Sequence, residues 1–81
     1  MHKFKELETV VLTHDIPEHG LREGDMGAVV NVYDRGNAAE VEFVTVSGKT
    51  AALVTLEATD IRPAKGDDIL HVREFASFAA N

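Results

Sequence analysis

The 81-residue sequence predicts an all-β domain, a small barrel of five short strands followed by a helical or extended arm, and three features carry that prediction. Short β-branched runs recur along the first three-quarters of the chain, each cut off by Gly, Pro, Asp or Asn. The stretch from Gly24 to Phe43 reads as a β-hairpin. Val29, Val30, Val32 and Tyr33 are strand formers, Asp34 to Asn37 are turn residues, and Val41 and Phe43 alternate with Glu40 and Glu42. After Pro63 the pattern changes, and Ile69, Val72, Ala76 and Ala79 fall at helical spacing.

In chain order, Phe4 and Leu7 stand in a charged lead-in, either as an apolar cover for a barrel edge or in a first helical turn. Residues 9–14 form the first strand, with Val10 and Leu12 on one face and Val11 on the other. Residues 15–25 are a loop of turn formers, in which Leu21 is expected to fold back as a plug. Strands follow over 26–33 and 38–46, then a Ser47-Gly48-Lys49 turn and a strand over 50–56. Glu57 to Asp60 make one tight turn before Ile61 and Arg62 form a last strand stopped by Pro63. Such a chain folds as a five-stranded SH3-like barrel over residues 1–63, with 64–81 as a C-terminal arm. Its expected interior is Val10, Leu12, Val30, Val32, Val41, Phe43, Leu53 and Leu56. Gly27 is expected where backbones approach closely or φ is positive, and Asp67 or Asp68 is a candidate helix cap for the arm.

Composition narrows the function classes. A domain this short buries only roughly 60 to 65% of its unfolded surface, which leaves little room for a deep cleft. There is no Cys, hence no disulfide, thiolate nucleophile or Cys-ligated zinc. The N-terminal residues lack a signal-peptide h-region, and no apolar run approaches the roughly 20 residues that span a bilayer, so a soluble, cytoplasmic protein is expected. Fourteen acidic residues against eight basic ones give a formal charge of −6, and the cations are dispersed among acids. Nucleic-acid binding, which leans on a basic footprint, is therefore disfavoured.

The segment Thr9-Val-Val-Leu-Thr-His-Asp-Ile-Pro-Glu-His-Gly-Leu-Arg-Glu-Gly-Asp-Met-Gly-Ala-Val-Val, with Leu53-Val-Thr-Leu-Glu-Ala-Thr-Asp-Ile-Arg-Pro, resembles the DUF4926 family of small bacterial proteins of unknown function. The resemblance covers about residues 4–63 and implies an SH3-like barrel akin to that of the nitrile hydratase β subunit. Its Gly-Asp-x-Gly-x-Val string is shared with KOW-type barrels. It implies no catalytic residue, and the tail after Pro63 lies beyond it.

The residues themselves hold few chemical constellations. His14, Asp15, Glu18 and His19 are metal-ligand types in one loop, but their spacing matches no established ligand geometry, and a solvated loop is the expected state. Ser47 lies in a turn, and Lys49 lacks a phosphate-binding loop before it. The carboxylates alternate onto wet faces, so paired acid–base chemistry is not expected. Tyr33 is the one aromatic with a polar handle, too few for a proline-peptide groove. These observations favour a non-enzymatic interaction or accessory module, without cofactor or metal, acting on a protein partner such as the product of a neighbouring gene, or self-associating through its arm. Its expected contact residues are His14, Asp15, Glu18, His19, Leu21, Arg22 and Tyr33, with Ile69, Val72, Phe75 and Phe78 of the arm. The alternatives are a KOW-like nucleic-acid- or ribosome-associated barrel, and a small metal-binding or enzymatic domain.

Overall fold

The computed structural model describes residues 2–75. Its five strands are β1 (Thr9–Leu12), β2 (Met26–Tyr33), β3 (Ala38–Val44), β4 (Thr50–Glu57) and β5 (Ile61–Pro63). They form one sheet in the order β4-β3-β2-β1-β5, antiparallel throughout. The all-β, five-stranded expectation holds, but the closed barrel does not, because β4 and β5 are the two outer strands and do not pair. Closure needs a last strand long enough to bridge the gap. Here β5 has three residues, all already in register with β1, and Pro63 has no N–H to donate.

The core lies on one face of the sheet. Val10, Leu12, Val29, Ala39, Val41, Phe43, Leu56 and Ile61 from the strands close over Phe4, Ile16 and Leu21 from the loops. Leu21 is fully buried under its loop and bridges to Ile16. Two expected core residues turn outward. A bulge in β2 between Val29 and Asn31 leaves Val30 as an extra residue, so Val29 takes the buried place and Val30 is exposed. Leu53 stands opposite Glu42 on the outer face and is 54% exposed, whereas Val54, opposite Val41, packs inward.

Two glycines are fixed by contact. A Cβ on Gly27 would meet Val41 Cγ1 at 2.6 Å and the Glu42 carbonyl oxygen at 3.0 Å, so β2 approaches β3 closely there. Gly36 has φ +90 and ends the β2–β3 turn, where its carbonyl accepts the Phe4 N–H at 3.0 Å. That bond seats Phe4 in the core. Leu7, the other apolar residue of the lead-in, is exposed.

The arm is not helical over its described part, residues 64–75. The Asp68 carboxylate, a candidate helix cap, instead accepts the Lys65 N–H at 2.6 Å and both ends of the Arg62 guanidinium at 3.0 Å. That closes a turn rather than starting a helix. An isolated helix shorter than about 12 residues is marginal without a surface to pack on, and the ion pairs hold this segment in an irregular path. Ala76, Phe78 and Ala79 lie outside the described residues.

Candidate functional site

Asp25 is the buried charged residue of the described chain, at 8% exposure. The loop before β2 places it there through its own backbone. Asp25 N–H bonds to the Arg22 carbonyl at 3.0 Å, Leu12 N–H donates to the Asp25 carbonyl at 2.9 Å, and Gly24 N–H donates to the Leu12 carbonyl at 3.0 Å. These bonds tie the loop to the end of β1. The side-chain carboxylate then accepts the Arg22 N–H at 2.8 Å, Arg73 Nε at 2.8 Å and Arg73 Nη2 at 2.6 Å. The bidentate guanidinium also reaches the Gly20 carbonyl at 2.8 Å, and His71 Nε2 lies 3.3 Å from the carboxylate.

Electrostatically the cluster is self-contained. Burial pushes the Asp25 carboxyl up, but the Arg73 hydrogen bonds, the Arg22 amide and the Arg73 and His71 charges outweigh it and hold it below the usual carboxylate value. Beside it opens a groove of about 520 Å³, lined by Leu21, Phe43, Val44, Ala51, Val72 and Phe75 among others. The groove runs between the β3–β4 connection and the arm.

A second cluster joins the first loop to the turn before β5. His14 Nε2 donates to Asp60 Oδ1 at 2.7 Å, and His14 Nδ1 donates to the Asp15 carbonyl at 2.9 Å. A neutral imidazole has one N–H, so two acceptors facing both ring nitrogens favour the protonated form. The Asp60 hydrogen bond is the main cause of the raised His14 value. For Asp60 burial acts upward, and the His14 bond and the Glu57 amide prevail to hold the carboxyl down. Asp68, bonded to Arg62 and the Lys65 amide, is lowered to about 2.

The residues singled out in the first loop are not gathered into a site. His14 turns to Asp60, and Asp15 Oδ1 accepts the Glu23 N–H at 2.8 Å. Glu18 and His19 stand exposed in a single 3₁₀ turn, and Arg22 is exposed. Among the described residues no three His, Asp or Glu side chains are placed to hold a metal ion. Leu21 lines the floor of the groove, while Tyr33 lies outside it, its hydroxyl accepting from the Asn31 amide at 3.1 Å. In the arm, Phe75 lines the groove and is half-buried, Ile69 and Val72 are exposed, and Phe78 falls outside the described residues. Sequence reasoning missed Asp25, His71 and Arg73. One signal was present: Arg73 is the one Lys or Arg after Lys65.

A family model described as a domain of unknown function, DUF4926, matches residues 6–63. Asp25 lies inside the matched region, and His71 and Arg73 lie beyond it. No curated protein and no solved structure matches the chain.

Proposed function

The chain belongs to the DUF4926 family, and from that premise we propose that it is a non-catalytic protein-interaction module whose C-terminal arm is its main contact element. The observation that carries this reading is the way the arm is held. Two polar pins, Arg62 with Asp68 and Arg73 with Asp25, fix the segment between them. Ile69, Leu70 and Val72 within it stand 92%, 76% and 90% exposed. Ordering backbone costs roughly 1 to 2 kcal/mol per residue, and no apolar burial of these three side chains offsets it. An ordered strap presenting aliphatic side chains to solvent suits a surface that a partner covers. Each such side chain, once buried, contributes roughly 1.5 to 3 kcal/mol.

The chemistry of the clusters supports the same reading. Asp25, Asp60 and Asp68 are all held below the ordinary carboxylate value and spend their oxygens on internal donors, which makes them weak bases. The −6 charge favours a basic partner for the rim around the arm. The test is retention of a stoichiometric protein from the native cell by the immobilised chain, against a variant carrying Ile69→Ser, Leu70→Ser and Val72→Ser. Loss of the partner from the variant, with an unchanged thermal midpoint, is the expected result. Equal retention by both, no protein on either, or RNA or DNA in place of protein would overturn the proposal.

A further inference from the structure

The receptacle around Asp25 is built without the arm. Its carboxylate is fixed by the Arg22 N–H at 2.8 Å, and its backbone is bonded to Leu12 and Arg22. Gly20, left-handed at φ +69 where it ends the 3₁₀ turn, offers its carbonyl to the same Arg73 Nη2 that the carboxylate binds. A carboxylate and a carbonyl arranged around one nitrogen fit the planar fork of an arginine side chain. All of these acceptors belong to the loop before β2, and the loop's own backbone bonds hold them there.

The arm enters that receptacle by side chains alone. The last backbone bond of its described part is Asp68 N–H to the Lys65 carbonyl at 3.0 Å, which closes the turn pinned to Arg62. Beyond it, among the described residues, no backbone hydrogen bond joins residues 69–75 to the sheet or to the first loop. The arm therefore has a fixed root at Asp68 and a plug at Arg73, joined by Ile69, Leu70, His71 and Val72. The three aliphatic residues that stand exposed all lie in this joining segment.

We propose that two copies of this chain exchange arms, so that Arg73 of each enters the Asp25 receptacle of the other. The proposal rests on the reading of the arm as the contact element and names its partner. Chemistry selects the occupant: the receptacle takes a guanidinium, and a second copy brings an identical one on an identical segment. Every bond that Arg73 makes to Asp25 and Gly20 within one chain is then remade between two, which is the low-cost route of domain exchange. Geometry supplies what a single copy lacks. In a reciprocal exchange residues 69–72 are the crossing segment, and the two crossing segments run antiparallel past each other at the two-fold axis. Ile69, Leu70 and Val72, uncovered in one copy, are thereby set against the same three residues of the other. A short tether gives closure within one chain the higher effective concentration, and burial of these aliphatic side chains favours exchange as the protein concentration rises.

The test is sedimentation equilibrium of the full chain over a wide concentration range. Wild type is expected to show a monomer–dimer equilibrium, and the variant carrying Ile69→Ser, Leu70→Ser and Val72→Ser to dimerise at least about tenfold more weakly. Arg73→Ala and Asp25→Asn should each weaken the dimer. An equimolar mixture of those two should dimerise at least about tenfold more tightly than either alone, because it holds one intact Arg73–Asp25 site that only an exchanged arm forms. Far-ultraviolet circular dichroism checks that each variant is folded. If one is not, nuclear Overhauser contacts between Arg73 of an isotope-labelled wild-type copy and Gly20 of an unlabelled one decide the exchange. A wild type that stays monomeric at every concentration, a dimer indifferent to the aliphatic changes, or a mixture no tighter than its components would overturn the proposal. Capture of a different protein from the native cell by a chain that stays monomeric would remove the exchange and leave the arm's contact role standing, whereas no dimer and no captured protein would remove both.

Discussion

The β5 edge and the β4 edge of one sheet meet the same problem, unpaired strand backbone, and treat it in opposite ways. At the β5 edge the chain keeps the outer strand short and pins the segment that follows it. Ala64 N–H still reaches the Thr9 carbonyl at 3.0 Å, and the following segment is tied down by the Arg62–Asp68 and Arg73–Asp25 pairs. At the β4 edge the chain supplies one capping carboxylate, Asp60, at the last residue, and leaves an uncharged strand before it. The contrast teaches that closure of a small β-sheet depends on where the chain goes after its last strand as much as on the strands. Here it goes to Asp25, so the arm folds over one end of the sheet while β4 remains an edge.

The comparison can be broken first at the centre of the sheet that both edges share. Gly27→Val places a side chain where even a Cβ meets Val41 at 2.6 Å and Phe43 at 3.0 Å. Overpacking of this kind costs about 1 to 3 kcal/mol, and more where backbone must move, so the urea midpoint should fall markedly with little change in slope. An unchanged midpoint would contradict the close approach of β2 to β3.

Next comes the pin that secures the arm. Arg73→Ala leaves Asp25 buried with one amide donor and a half-exposed histidine as its remaining partners, and a loss of about 1 to 3 kcal/mol is expected in chemical denaturation. Arg73→Lys keeps the charge but forfeits the bidentate geometry, and should fall between alanine and wild type. Nuclear magnetic resonance shifts of residues 69–75 should move together in both variants.

The His14–Asp60 pair sharpens the comparison through pH, since it joins the first loop to the turn that separates the two edge strands. His14 is raised above its ordinary 6.5, so its contribution is complete below about that pH and is lost as pH rises through the folded value. Asp60 is lowered from 3.8, so its contribution is present above that pH and lost as pH falls through the lowered value. The thermal midpoint difference between wild type and His14→Gln should therefore be greatest between those two values and shrink toward pH 8. A difference that is flat from pH 5 to pH 8 would contradict the paired imidazolium.

The smallest effect belongs to the open edge. Leu53→Ser removes an exposed side chain from β4, and in dilute, monomeric protein the change in stability should stay within about 0.5 kcal/mol. A large loss in dilute solution would mean that Leu53 is a core residue after all.

The strands were legible in the sequence because alternation and turn residues are local signals. Val10, Leu12, Val41, Phe43 and Leu56 are buried as their spacing requires, and Leu21 fills the space under its loop. Val30 was misread because a bulge is a one-residue slip in pairing, and the run Val29-Val30 offers two equally apolar candidates for the inward place. The barrel and the helical arm were misread for a different reason. The barrel fails because β5 is only three residues long and spends them all on β1, and the helical arm fails because Arg73 meets Asp25, 48 residues away in the chain, and Asp68 binds Arg62 rather than capping a helix. Periodicity over a dozen residues carries no trace of either. The same long-range pairing hid Asp25, Arg73 and His71, while the conspicuous loop residues His14, Asp15, Glu18 and His19 gather no ligand set.

Amide hydrogen exchange in dilute protein, read residue by residue, tests most directly the central claim that β1 is tied on both sides, to β5 and to the loop before β2, while the outer backbone of β4 is left unpaired. The N–H groups of Ala64, Thr13 and Leu12, which donate to Thr9, Asp60 and Asp25, should be protected. Those of Leu53 and Thr55, pointing off β4, should exchange at rates near those of unstructured peptide while the amide of Val54 between them is slow. Protection of Leu53 and Thr55 equal to that of Val54 in the dilute monomer would contradict it.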